Sequence, residues 1–230
     1  VTVSRVIELP GVRGGIEAAR DAMDLLRKQR ILRNKGVEVR ALAFSESARA
    51  TAELGAVDIA VGIALVEAAI ETSASIASSP MQILARYHST ALADSTSHEQ
   101  RGRPRVLNGS ESERLFGLND LLHSPSQVPA LIVASLVMAE ISDIAPFDEA
   151  NDLIARTAFR AILIGRGFDP DALGMPEAGM SALGAGSFVQ ALAAYHSGTP
   201  DGVAAWLRHV ANAVQLGARR GVEICDSLAG

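Results

Sequence analysis

An all-α fold follows from three features of the sequence. Ala, Leu, Val and Ile dominate, while aromatic residues make up only 4%. Alanine and leucine favour helix, and the scarcity of Tyr, Phe and Trp argues against a sheet protein. Apolar residues recur at helical spacing along most of the chain, and Gly and Pro fall between those runs as punctuation.

Pro10 and Gly11 close a short extended start. Ile16, Ala19, Met23 and Leu26 then define the buried face of a first helix. Five basic residues follow: Arg27, Lys28, Arg30, Arg33 and Lys35. They read as a solvated helix end whose cations favour the negative end of the helix dipole. A patch for nucleic acid or an acidic partner is the alternative. Gly36 is the expected stop of that helix. A second helix is expected over Val37–Ala56, with Val39, Leu42, Ala43, Ala50 and Leu54 near one face, and a third over about Asp58–Ser75.

Pro80 opens a further helix carrying Ile83, Leu84, Tyr87 and Leu92. The stretch 94–112 is polar and broken by Gly102, Pro104 and Gly109, so it reads as a loop of the kind that often serves function. A short helix is expected near Glu111–Leu121. Pro129 suits the first turn of the next, which runs to about Asp143 and is apolar nearly all round, the mark of a central element. Pro146 breaks the chain, and a helix over Ala150–Arg166 follows. Pro170, Gly174, Pro176 and Gly179 read as a connector, ahead of helices over about Ser187–Tyr195 and Asp201–Arg219.

With 230 residues and 48% hydrophobic content, the chain is expected to form one domain with a sizeable core. Helices over about 12–78 would precede a core over about 80–220. The formal charge of −5 speaks against general affinity for nucleic acid or an anionic membrane. The apolar stretches Val128–Ala139 and Ile59–Val66 fall short of the ~20 residues that span a bilayer and read as buried core helices. Cys225 is the only cysteine, and the opening VTVSRVIELPG has no apolar run long enough for a signal peptide, so a cytoplasmic setting is the expectation.

Most familiar catalytic motifs are absent: there is no GxxxxGK[ST], GxSxG or HExxH, and no paired Cys/His spacing. The histidines at 88, 98, 123, 196 and 209 lack metal-ligand spacing and read as surface or packing residues. Gly184–Ser187 is either an anion nest at a helix start or a plain connector. The informative segment is IAPFDEANDLIAR, Ile144–Arg156. One helix ends, a Pro-Phe turn follows, and a new helix begins whose free N–H groups suit phosphate. Glu149 at its mouth can offer a carboxylate oxygen to magnesium, and Arg156 can reach a phosphate or pair with a carboxylate. The plainer reading is an ordinary helix start, with Asp148 and Glu149 complementing the dipole.

This segment resembles the motif of the Fic family, HPFx[D/E]GNGRxxR, aligned without a gap from Ala145 to Arg156. Pro146, Phe147, Glu149, Asn151 and Arg156 match. Ala145 stands in place of the catalytic histidine, Ala150 and Asp152 in place of glycines, and Leu153 in place of the first arginine. The form PFxxxNxLxAR is similar to that of divergent bacterial Fic-like proteins. The flanking segments VPALIVASLVMAEI, IARTAFRAILIGRG, LARYHSTA and GRPR also resemble the Fic helices and flap, over roughly residues 80–220. The resemblance implies a Fic-like helical bundle with a small flap hairpin or loop, and a site for ATP and Mg2+ built from Phe147, Glu149, Asn151, Asp152 and Arg156.

Fic enzymes transfer AMP or a related group to protein hydroxyls, with the histidine as base; alanine closes that route at position 145. His88 or His123 can substitute only if folding brings them close. An inhibitory helix, [S/T]xxxE[G/N], whose glutamate pairs with the second motif arginine, is echoed at Ser47–Ala56: Thr51 fits, Gly55 replaces the glutamate, and Glu53 faces elsewhere on a helix. The lost base and the lost inhibitor are mutually consistent. The expectation is a catalytically silent Fic-like protein with a remnant nucleotide or anion site, or a regulatory role toward a protein partner or a second copy of itself. The alternative is a nucleotidyl- or phosphate-group transferase of altered chemistry, using Glu149, Asp148 or Asp143 as base or metal ligand. A purely structural role is a third reading. Arg156 is expected to pair with a motif carboxylate, Asp152 or Glu149.

Overall fold

A computed structural model describes residues 3–93 and 100–229. It is built of helices α1 (Val3–Val6), α2 (Val12–Arg27), α3 (Leu32–Gly55), α4 (Ile59–Thr72), α5 (Pro80–Ala91), α6 (Gly109–Leu122), α7 (Ala130–Ile144), α8 (Asn151–Gly165), α9 (Pro176–Leu183), α10 (Ala185–His196) and α11 (Pro200–Ala229). No strand occurs among the described residues. The polar segment expected to form a flap has its residues 94–99 outside the described part. From 103 to 108 it is an irregular loop rather than a hairpin.

The two central helices are α7 and α8. Every residue from Leu131 to Ala139 is buried, as its all-round apolar sequence requires. Trp206 on α11 donates its indole N–H to the Ser135 carbonyl at 2.8 Å, so its one polar atom is satisfied inside the core. The first predicted face is also seen, with Ile16, Ala19, Met23 and Leu26 all buried on α2.

Some expected boundaries differ. A helical turn, α1, occupies the start that was expected to be extended. The first long helix ends at Arg27, not Gly36, because Lys28 closes it with N–H bonds back to Asp24 and Leu26. Gly36 lies inside α3, one residue past a break at Lys35 (φ −122°, ψ 27°). Glycine costs a helix about 1 kcal/mol, which packing can override. The basic run therefore turns a corner. Arg27 donates to the Phe168 carbonyl, and Lys35 to the Leu228 carbonyl at 2.8 Å. The stretch at the start of α4 is only partly buried: Ile59 and Ile63 face outward.

The connector expected at 170–179 contains α9. Pro176 stands at its first turn, where proline is well suited. Gly179 is there because α9 and α11 touch backbone to backbone, and a Cβ at 179 would overlap the Ala213 carbonyl. A buried ion pair fastens the same corner. Arg160 on α8 donates to Glu177 on α9 through Nε at 2.8 Å and Nη2 at 2.5 Å, and Nη2 also reaches Ser47 Oγ on α3 at 2.6 Å. Burial opposes the Arg160 charge, but Glu177 more than offsets it and holds the guanidinium pKa above its ordinary value. Asp169, buried beside this pair, accepts from the Leu173 and Gly174 amides; burial pushes its carboxyl up against those donors and Arg160.

Candidate functional site

The turn between α7 and α8 closes on itself. Ala145 leaves α7 in the left-handed region (φ 47°), and Ala150 enters α8 the same way (φ 61°). Asn151 locks the intervening residues: its Nδ2 donates to the Phe147 carbonyl at 2.7 Å, and its Oδ1 accepts from the Phe147 amide at 3.0 Å. Phe147 is buried as the anchor of the turn. Asn151 is thus spent on backbone and leaves little for a ligand. Ile154 is the first residue of α8 whose amide is bonded within the turn, to Ala150 at 3.0 Å. The amides before it offer the free N–H groups of a helix start. Asp148, Glu149 and Asp152 stand exposed around this mouth, while Leu153 is buried.

Arg156 lies just over one turn further along α8 and is 5% exposed. Among the described residues it makes no hydrogen bond or ion pair, and its Nε is a buried donor without an acceptor. Its guanidinium carbon sits 5.9 Å from the centre of the Phe188 ring, at the edge of cation–π range. Burial pushes its pKa down, and Asp152 and Glu177 oppose that only through space. The expected partnership with Asp152 or Glu149 is therefore not formed. Both carboxylates turn to solvent, where hydration serves them better than a recessed guanidinium does.

The GRPR loop crosses the same turn. The Arg105 amide donates to the Pro146 carbonyl at 2.9 Å. Its side chain donates to the Ala145 carbonyl at 2.7 Å and the Ile144 carbonyl at 2.6 Å, capping the C-terminal end of α7. Glu111 holds the guanidinium from behind at 2.9 Å, and itself completes a capping box with Asn108. That N-x-x-E box is visible in the sequence. The reach of Arg105 is not, because nothing local marks which arginine will meet a helix end forty residues away.

Of the two substitute histidines, folding brings one to the turn. His88 on α5 stacks on Phe147, with ring centres 4.4 Å apart, and its Nδ1 accepts from the Gly102 amide at 3.0 Å. Its proton therefore sits on Nε2, which is buried and has no hydrogen-bond partner among the described residues. His123 caps the far end of α6, about 20 Å of helix from the loop that meets the turn. Among the described residues, no group of three or more His, Cys, Asp or Glu side chains is placed to hold a metal ion.

No family model matches the chain, and no curated protein matches it in sequence. Among solved structures it is similar to Fic-1 (residues 134–508) from C. elegans, at 17% identity and a TM-score of 0.65, over 94% of this chain and 73% of that one. The fold is Fic-like and all-α. At this identity the likeness concerns the fold alone.

Within the Fic-like fold, the segment resembling the inhibitory helix lies in α3. Thr51 is buried, and Glu53 is exposed, lining a groove with Arg49 and Arg219. Gly55 lies directly against Leu153: a Cβ at 55 would come within 2.5 Å of the leucine Cδ2. The two departures from the motif therefore touch. Leucine at 153 fills the space that a side chain at 55 would need, and glycine at 55 leaves room for the leucine.

Burial pushes the His88 pKa below its ordinary value, and Glu149 and Asp148 counter only part of this; burial lowers His209 likewise. Both rings are thus favoured neutral in the folded state. The unfolded chain takes up protons first, so stability is fully present above the ordinary histidine value of about 6.5 and declines as pH falls through it. Between pH 7.5 and pH 5.5 in urea denaturation, the two histidines should lower the unfolding free energy at the lower pH, against the opposite trend of Asp169, whose raised carboxyl pKa favours the folded state as pH falls. His209→Phe, which keeps the packing against Phe188 and Trp206, should remove part of that slope. An unchanged slope would mean that other groups titrate.

Proposed function

We propose that this Fic-like protein does not transfer nucleotides and that its α7–α8 turn holds a compact anion, through which it serves a regulatory or partner-binding role. The observation that carries this reading is Arg156, a buried cation with no hydrogen-bond or ion-pair partner among the described residues, on the helix whose N-terminus opens at the turn. A single phosphate or carboxylate group would satisfy the guanidinium and those amides together. The residues fit a magnesium triphosphate less well. Leu153 supplies no charge, and Asp148, Glu149 and Asp152 add negative charge at the mouth.

The loss of chemistry rests on Ala145 and Arg105. Alanine cannot accept a proton, and the carbonyls at that helix end are already taken by the arginine. His88 is too deeply buried for its ring to reach a protein hydroxyl. Transfer by altered chemistry, with Glu149, Asp148 or Asp143 as base, remains the reading to test against this one.

Incubation with labelled ATP and magnesium should leave both the protein and added extract unlabelled. Ala145→His alone should not restore transfer, because the phosphate cradle is altered as well. Label transfer abolished by Glu149→Ala would replace this reading with the altered transferase. Calorimetry should show inorganic phosphate binding that Arg156→Met abolishes, and no tighter binding of Mg–ATP.

A further inference from the structure

A cavity of about 480 Å³ opens between α6, α7, α10 and the start of α11, on residues that the α7–α8 turn does not use. That volume lies in the range of small-molecule sites, about 300–1,000 Å³. Leu121, Leu136 and Val203 give it an apolar lining. The rest is an ionic wall assembled from three helices. Glu140 accepts from the Tyr195 hydroxyl at 2.5 Å and from Arg114 Nε at 2.9 Å. Asp143 accepts from Arg114 Nη2 and lies 3.0 Å from His196 Nε2. Burial, then the neighbouring carboxylates, push the Tyr195 phenol well above its usual range, so it stays a neutral donor.

The arrangement has a sign. The carboxylates are recessed, with Glu140 16% and Asp143 23% exposed, while Arg114 and His196 stand at the rim, each 41% exposed. Two carboxylates face one guanidinium, so the carboxylates outnumber the permanent cation of the wall. Three of the four carboxylate oxygens receive one hydrogen-bond donor each, the fourth, Asp143 Oδ1, lies beside His196, and each keeps a further acceptor site. A recessed wall with spare carboxylate acceptors, beside an apolar lining, suits a cation with an apolar body.

We propose that this cavity binds a small monocationic amine. The ammonium donates to the spare lone pairs of Glu140 and Asp143, and its apolar body covers Leu121, Leu136 and Val203. An anionic ligand in the same pose would set its charge against the two recessed carboxylates and is disfavoured there. A neutral one leaves the spare acceptors without donors and binds weakly.

Amide NMR titration of the full chain with phenethylamine, 2-phenylethanol and 3-phenylpropanoate tests this. Phenethylamine should produce saturable shifts centred on Gly117, Leu136, Tyr195 and Val203. The alcohol should bind roughly tenfold more weakly and the carboxylate not at all. Glu140→Gln should weaken the amine by roughly tenfold. Arg114→Gln, which removes the opposing cation, should tighten it. Circular dichroism establishes that each variant is folded, and Asp143→Asn replaces Glu140→Gln if that variant is not. Absence of amine shifts, shifts centred elsewhere, equal binding of the alcohol or the carboxylate, or affinity unchanged in a folded carboxylate variant would overturn the proposal.

Discussion

Glu177→Ala should lower the unfolding free energy by about 3–5 kcal/mol, the usual cost of leaving one member of a buried ion pair alone. Arg160 and Glu177 are both almost wholly inaccessible, and among the described residues the arginine's other acceptors are Ser47 and the Gly174 carbonyl. Removing the carboxylate leaves a guanidinium that cannot lose its proton and cannot reach water. The loss would fall on the contact among α3, α8 and α9, behind Arg156. Urea denaturation read by circular dichroism measures it. Arg160→Met with Glu177→Leu together should recover much of the loss, since the pair is costly to break but not costly to replace. If Glu177→Ala costs less than about 1 kcal/mol, water reaches the arginine and the corner is open.

That corner also shows where the sequence stops being informative. The face of α2 and the all-round burial of α7 were legible because helical period converts directly into a buried stripe. The α7–α8 turn was legible because a Pro-Phe turn and an Asn are local chemistry, and the resemblance to the Fic motif aligned them. Contacts between distant segments left no such trace. Gly179 and Pro176 look like breakers until α11 is placed against them. Nothing in the sequence marks Arg160, in an expected helix, and Glu177, in an expected connector, as a pair. Gly55 and Leu153 were each visible as departures, but not as neighbours. The expected Arg156 partner failed for the same reason. Sequence proximity suggested Asp152 and Glu149, yet whether a carboxylate four residues away turns inward depends on what fills the space between, and here the charged groups face water.

Arg156→Met should raise stability in buffer free of polyvalent anions, because it removes the desolvation cost of a buried charge that no ion pair repays. Methionine is flexible enough to fill the space against Phe188. The wild-type arginine is 5% exposed and has no hydrogen-bond partner among the described residues, so it subtracts from stability unless a ligand completes it. Anion linkage should then act on one protein and not the other. Phosphate at a hundred times its dissociation constant adds about 2.7 kcal/mol to a protein with one site. Wild type should gain on that scale and Arg156→Met should not, so the gap between them narrows or reverses as phosphate is added. General salting effects act on both proteins alike, and a chloride series at matched ionic strength removes screening. A variant that is less stable than wild type by more than about 1 kcal/mol without anions would mean that the guanidinium has an internal role in packing. Parallel responses of the two proteins to phosphate would place the anion elsewhere and remove the basis for a site at the start of α8.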